Sequence, residues 1–140
     1  MNLAEVLLNA DIKEVTKKNT VEFEVERLSK VFGTPFVLTL QEISPKRFSE
    51  IQNECIKMNN KGRVVGTDIY RTQCLLMADA IANQELREDA LLKKFGCATP
   101  VDLYAKLFNA GEFAKITEAI NKLCGMDNAE KEKQVEAVKN

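Results

Sequence analysis

The residues able to do chemistry in this chain are its carboxylates and thiols, because it contains no histidine. That absence removes the commonest general base and the commonest metal ligand together. Ser–His triads and Cys–His pairs go with them. Paired carboxylates can still hydrolyse glycosidic bonds, and two places invite that reading. Glu22, Glu24 and Glu26 alternate with Val21, Phe23 and Val25, so a strand there carries its acids on one face. Such a row is either an acidic patch for a basic partner or, more plainly, a charged edge that discourages strand-to-strand aggregation. Asp79 is the lone acid in the apolar run Cys74–Ala82. A buried carboxylate must be paired, hydrogen-bonded or neutralised. Asp79 is therefore either a functional acid or, more simply, a helix-edge residue reaching solvent or a Lys/Arg neighbour.

Cys55, Cys74, Cys97 and Cys124 form no CxxC pair and have no histidine to complete a zinc site. Free cysteine is among the most buried residue types, so buried, reduced thiols are expected rather than bridges or metal ligands. Gly62 and Gly66 in KGRVVG lack the Lys-Ser/Thr of a phosphate loop and the strand–GxGxxG–helix setting of a dinucleotide site. Arg63 and Arg71 near this connection are either anion-binding groups or, more simply, plain surface. No catalytic, cofactor-binding or metal-binding residue emerges, and no enzyme is expected.

Composition narrows the classes further. A chain of 140 residues, 45% hydrophobic and 29% charged, suits one domain with a proper core. The 20 basic and 21 acidic side chains leave a net charge of −1. The basic excess that nucleic-acid binding relies on is missing. No apolar run approaches the ~20 residues that span a bilayer. Met1–Ala10 carries Glu5 and no positive charge, unlike the basic start of a secretory signal. Neither a nucleic acid nor a membrane is an expected partner, and the expected compartment is the cytoplasm.

The elements that must position these residues follow from periodicity. Leu3, Val6, Leu7 and Leu8 stand at helical spacing in a segment too short to be stable alone; it must dock, on its own domain or on a partner. Ile12–Thr20 reads as a polar connection. Val21–Leu28 reads as a half-buried strand, Ser29–Thr34 as a turn, and Phe36, Leu38 and Leu40 as the next alternation, together a β-hairpin. A two-stranded hairpin needs helices to pack on. Ser44-Pro45 opens a helix with Phe48, Ile51, Cys55 and Met58 as its apolar stripe, ended by Asn59-Asn60-Lys61-Gly62. Arg63–Gly66 is an exposed link, and Thr67 with Asp68 caps a helix apolar nearly all round from Cys74 to Ala82.

Arg87–Phe95 is a further helix, and Thr99-Pro100 starts another with Val101, Leu103, Tyr104, Leu107 and Phe108 inward. Gly111 breaks the chain before a last stripe of Phe113, Ile116, Ile120 and Leu123. The expected architecture is α+β: an N-terminal β-hairpin packed on a bundle of about five short helices. Residues 1–126 form one domain, made of the N-terminal segment and connection (1–20), the hairpin (21–43) and the helical part (44–126). Residues 127–140 form a polar tail, flexible or a frayed helix. Two apolar faces are candidate partner-binding surfaces: Leu3, Val6, Leu7 and Leu8 at the N-terminus, and Phe113, Ile116 and Ile120, which read as core first and as a partner groove second.

Thr99-Pro100-Val101, then Leu107-Phe108-Asn109-Ala110-Gly111-Glu112, and a closing amphipathic helix ending Cys124-Gly125-Met126 resemble a known pattern. Together with the order of elements from Leu3 to Met126, they resemble the tail assembly chaperones of contractile-tailed phages and of defective prophages in Gram-positive bacteria. Members of that family often have Pro-Gly-Glu where this chain has Ala110-Gly111-Glu112. The resemblance implies a non-catalytic protein that binds the tape-measure protein and keeps it soluble while the tail tube assembles. It also implies the tail-tube protein as a second candidate partner, no cofactor, absence from the finished virion, and room for a homo-oligomer.

Overall fold

A computed structural model of the chain describes residues 2–126. The polar tail expected over 127–140 lies outside the described residues. The chain starts with two short helices, α1 (Leu3–Leu8), capped by Asn2, and α2 (Ile12–Thr16), capped by Asp11. The second stands where a polar connection was expected, because the Asp11 side chain accepts the Lys13 N–H at 3.0 Å and nucleates a turn. Neither helix buries a residue.

Next come β1 (Thr20–Glu24), α3 (Glu26–Phe32) and β2 (Val37–Gln41). β1 and β2 are antiparallel, with Val21 opposite Leu40 and Phe23 opposite Leu38. The expected strand to Leu28 stops at Glu24, and the expected turn is a helix. The reason is visible in spacing: Val25 and Leu28, three apart, are both buried, a helical rather than an alternating relation. Glu26 thus leaves the acidic row and opens α3, where an anion favours the helix N-terminus. Gly33, at φ 67°, closes α3 in the left-handed region that glycine enters without strain.

α4 (Pro45–Glu54) starts at the Ser44 cap as expected, with Ile51 and Cys55 buried. It ends before Met58, which does not join the stripe. Instead β3 (Ile56–Met58) pairs with β4 (Val64–Thr67) in a second antiparallel hairpin, where a helix end and an exposed link were expected. The Asn59 side chain accepts N–H bonds from Lys61 at 2.9 Å and Arg63 at 3.0 Å, so the chain reverses at a side-chain-built turn. Ile56, Val64 and Val65 flank it with β-branched residues that prefer strands. No residue of either strand is buried.

α5 (Ile69–Ala80) is capped by Asp68 and buries Cys74, Leu76, Met77 and Ala80. A 3-10 turn at Gln84–Arg87 and α6 (Asp89–Lys94) replace the single helix expected over Arg87–Phe95. α7 (Pro100–Leu107) and α8 (Ala110–Leu123) both begin with reciprocal capping boxes, Thr99 with Asp102 and Asn109 with Glu112. Gly111 does not break the chain but sits in the first turn of α8, because Asn109 takes the cap position two residues earlier.

The core forms where α5 packs against α8, with α4 and α7 alongside and the β1–β2 sheet lying on α8. Met77, Ile81, Ile116, Ile120 and Leu103 are fully enclosed. The free edge of β2 is covered by the chain leaving α5. Leu40 bridges Ile81, Ala82 N–H donates to Thr39 C=O at 2.8 Å, and Thr39 N–H donates to the Asn83 side chain at 2.7 Å. A hairpin that is marginal alone is thereby held on two sides. Asp79 lies at the helix edge, and the Arg47 Nε donates to its carboxylate at 2.6 Å.

One ion pair ties α3 to α8. Arg27 Nη2 reaches Glu112 Oε1 at 2.8 Å, Nε reaches Oε2 at 3.1 Å, and the same guanidinium donates to the Leu107 carbonyl. The Arg27 hydrogen bond, helped by the Asn109 N–H, holds the Glu112 carboxyl below its ordinary range despite partial burial.

Two predictions follow from this packing. Ile116→Ala should cost about 2–5 kcal/mol by emptying a filled core position, whereas Leu8→Ala, at a site 84% exposed, should stay within about 0.5 kcal/mol; urea unfolding midpoints compare the two. Because the Glu112 carboxyl is lowered in the fold, its stabilisation is complete above the ordinary glutamate pKa of ~4.3. It fades as pH falls through the lowered folded value. Glu112→Gln should therefore melt below the parent protein at pH 7, and the gap should narrow steadily towards acid pH.

Candidate partner-binding surface

The groups that could do chemistry are dispersed or already neutralised. Glu22 and Glu24 are exposed on β1 and Glu26 belongs to α3, so the acidic row is split. Asp79 is occupied by Arg47. Cys55 and Cys74 are buried and Cys97 and Cys124 half-buried, all as free thiols. Burial pushes the Cys74 thiol up, which leaves it further from its nucleophilic thiolate form. Burial likewise raises Tyr104. Its hydroxyl and that of Thr117 are the enclosed side-chain groups without a hydrogen-bond partner among the described residues. Those residues contain no cluster of three His, Cys, Asp or Glu side chains placed to hold a metal, and no helix long and apolar enough to cross a membrane.

The sequence-derived candidates separate cleanly. Leu3 (81% exposed), Leu7 (63%) and Leu8 (84%) stand open on α1, with Val6 half-open beside them. Ile12 and Val15 on α2 are exposed as well. Phe113, Ile116 and Ile120 are 5%, 0% and 0% exposed. Their stripe faces α5 and is spent inside the fold; Phe113 also stacks on Tyr70, with ring centroids 5.9 Å apart. The second candidate face is therefore core, and the two faces do not come together as one groove.

A second apolar surface was not legible in the sequence. Met58, Val64 and Val65 on the β3–β4 hairpin and Ile69 at the start of α5 are more than 60% exposed. Strand alternation puts Ile56 and Met58 on one face, and Ile56, with its partner Thr67, also lines an open cavity of about 390 Å³. That cavity runs between α4, α5 and α8 past Phe48, Ile51, Leu76 and Thr117. The hairpin meets this cavity at Ile56 and Thr67, while Met58, Val64 and Val65 stand exposed outside its lining. The signal that could have revealed this surface was β-branched Ile56 before Asn59-Asn60-Lys61-Gly62 and Val64-Val65 after it. Exposed apolar surface of this kind marks protein–protein interaction sites or ligand-binding grooves.

No curated protein matches the chain. Among solved structures, a crystal structure of the protein YqbN aligns with 84% of this chain and 98% of its own, at a TM-score of 0.55 and 17% identity. At that identity the likeness concerns the fold. The family described as phage XkdN-like tail assembly chaperone protein matches residues 4–139. With nearly its whole length covered, this chain belongs to the family of XkdN-like phage tail assembly chaperones.

Proposed function

We propose that this chaperone acts on the tape-measure protein, covering its hydrophobic helices with the exposed apolar residues of α1 and α2 and so keeping it soluble until tail-tube subunits enclose it. The observation that carries the reading is an N-terminal arm whose leucines are open to solvent and which buries no residue of its own, while α5 and α8 of the domain behind it pack on each other. An amphipathic helix with no docking site of its own is suited to lie along another apolar helix, with anchors at i, i+3 and i+4. Leu3, Val6 and Leu7 supply that spacing. Release needs no chemical step. Tube subunits that bury more of the client, at roughly 25 cal/mol per Å², displace the arm. The protein works without catalysis and without cofactor, in the host cytoplasm, and leaves before the virion is complete; the tube protein is its second partner.

Co-expression tests this. The parent chain should hold the tape-measure protein in the soluble fraction, and Leu3→Asp with Leu7→Asp should send it to the pellet. Since both leucines are exposed, the double variant should keep the parent melting temperature. A client equally soluble with the variant, or with no chaperone at all, would remove the arm from the mechanism.

A further inference from the structure

The β1–β2 sheet has two long edges, and only one of them is finished. Glu42 N–H donates to Asn19 C=O at 3.0 Å and Val25 N–H to Phe36 C=O at 2.9 Å, in the same register that pairs Val21 with Leu40 and Phe23 with Leu38. In an antiparallel ladder the residues between such hydrogen-bonded pairs turn their N–H and C=O away from the partner strand. On β2 the middle residue of this kind is Thr39, whose C=O and N–H are taken by Ala82 and the Asn83 side chain. On β1 they are Thr20, Glu22 and Glu24, whose outward N–H and C=O groups have no partner among the described residues. Beside this edge the surface is concave. A groove of about 460 Å³ has Phe23, Val25 and Arg27 on one side and Asn109, Glu112 and Lys115, at the start of α8, on the other. No residue of β2 lines it, so it flanks β1 on the side away from its partner. Val21, on the same strand face as Phe23, is left 42% exposed.

We infer that β1 accepts an extended segment of another protein as a third strand, antiparallel to it and seated along the groove against α8. Strand addition of this kind draws affinity from main-chain hydrogen bonds and selectivity from alternate side chains. The segment's chemistry follows from its cross-strand neighbours. Glu22 and Glu24 stand on the solvent face, so the residues opposite them are lysine or arginine, because opposite charges across a ladder stabilise it and like charges destabilise it. The residues between turn to the other face, beside Val21 and Phe23, and are apolar. The remaining charges around the edge are mixed and set no preference. Glu26 and Lys30 stand at one end, Lys115 lies in the groove, and Lys17 and Lys18 precede the strand. Arg27 is paired with Glu112, and Glu42 accepts the Asn19 N–H. A second copy of this chain is a poor occupant, since two fully overlapped antiparallel β1 strands bring their Glu22 side chains face to face. The acids thus keep like edges apart and admit a strand of opposite charge. This surface is separate from α1, and the inference does not rest on the function proposed above.

The experiment adds a short, capped peptide of alternating lysine and valine to the full-length chain and follows amide hydrogen exchange by NMR. Exchange at Thr20, Glu22 and Glu24 should slow by about tenfold or more at saturation, while Val21 and Phe23, whose N–H groups already serve β2, change little. Two backbone-methylated peptides of unchanged charge separate the ladder from simple attraction. Methyl groups on the lysine backbone nitrogens, which face β1, should weaken binding by about tenfold or more; methyl groups on the valine nitrogens, which face away, should leave it nearly intact. Glu22→Lys with Glu24→Lys, both at exposed positions, should shift the preference to a peptide carrying glutamate in place of lysine. Circular dichroism matching the parent confirms that this variant folds; should it not, the two methylated peptides on the parent chain still decide. Absence of binding by the lysine–valine peptide, equal affinity for the two methylated peptides, or unchanged exchange at Glu22 would each overturn the proposal. So would protection of the same amides in the free chain that grows with its concentration, because the edge would then belong to a second copy.

Discussion

The constraint on which the rest of the structure depends is that α5 must be covered on nearly every side. Cys74, Leu76, Met77 and Ala80 are all buried within its last two turns, and a helix this apolar cannot leave a face in water. α8 answers it with Phe113, Ile116 and Ile120. The β1–β2 sheet lies across α8 and borrows a bridge and two further hydrogen bonds from the chain as it leaves α5. Ile81 therefore serves two elements at once, closing the helix and finishing the sheet edge. The Arg27–Glu112 pair fastens α3 to α8, and the same Glu112 carboxylate completes the cap of α8. Sheet, central helix and closing helix are thus one mutually dependent unit.

That unit encloses no charged residue among those described, and its interior is apolar packing that also holds the unpartnered hydroxyls of Tyr104 and Thr117. The exposed large apolar residues concentrate in α1, α2, the β3–β4 hairpin and the start of α5, with Val31 and Phe32 on α3 as a smaller group. These elements contribute little to the core, and segments with few buried contacts occupy the low-stability end of a fold. The exposed leucines of α1 and the core are therefore separate: Met77 and Ile120 are fully buried without any contribution from α1, which buries no residue.

How much of this was legible in the sequence depended on whether the signal was local. Ser44-Pro45, Asp68 and Thr99-Pro100 announced three helix starts correctly, since a cap acts through its own backbone neighbours. Asn109 carried the same signal but was overshadowed by Gly111, which looked like a breaker and is only an early residue of α8. The alternation that begins at Val21 held as far as Glu24, the end of β1, and failed at Val25, because Val25 and Leu28 are drawn inward by the tertiary fold. Periodicity identified Phe113, Ile116 and Ile120 as an apolar face, yet it cannot say what covers a face. Only the packing of α8 on α5 assigned that stripe to the core. The second hairpin was hidden for a related reason: Met58 continues the helical stripe of α4 by spacing, and the Asn59 turn that diverts it depends on side-chain hydrogen bonds.

The separation of arm from core also decides what kind of binding the molecule can offer. A fully buried leucine is worth about 1.5–3 kcal/mol, and α1 presents only a few such side chains. Against that gain stands the cost of fixing a partner, and the further cost of ordering side chains at the contact. A single arm on a single client helix is consequently a weak and readily reversed contact. Strong retention of a long client requires many arms acting along it, each raising the effective concentration of the next. Weak units bound in number are lost one at a time, since the release of one contact leaves its neighbours in place. Under the function proposed above, the small size of α1 would favour such release, because a longer apolar helix would bury more surface and hold its partner more tightly.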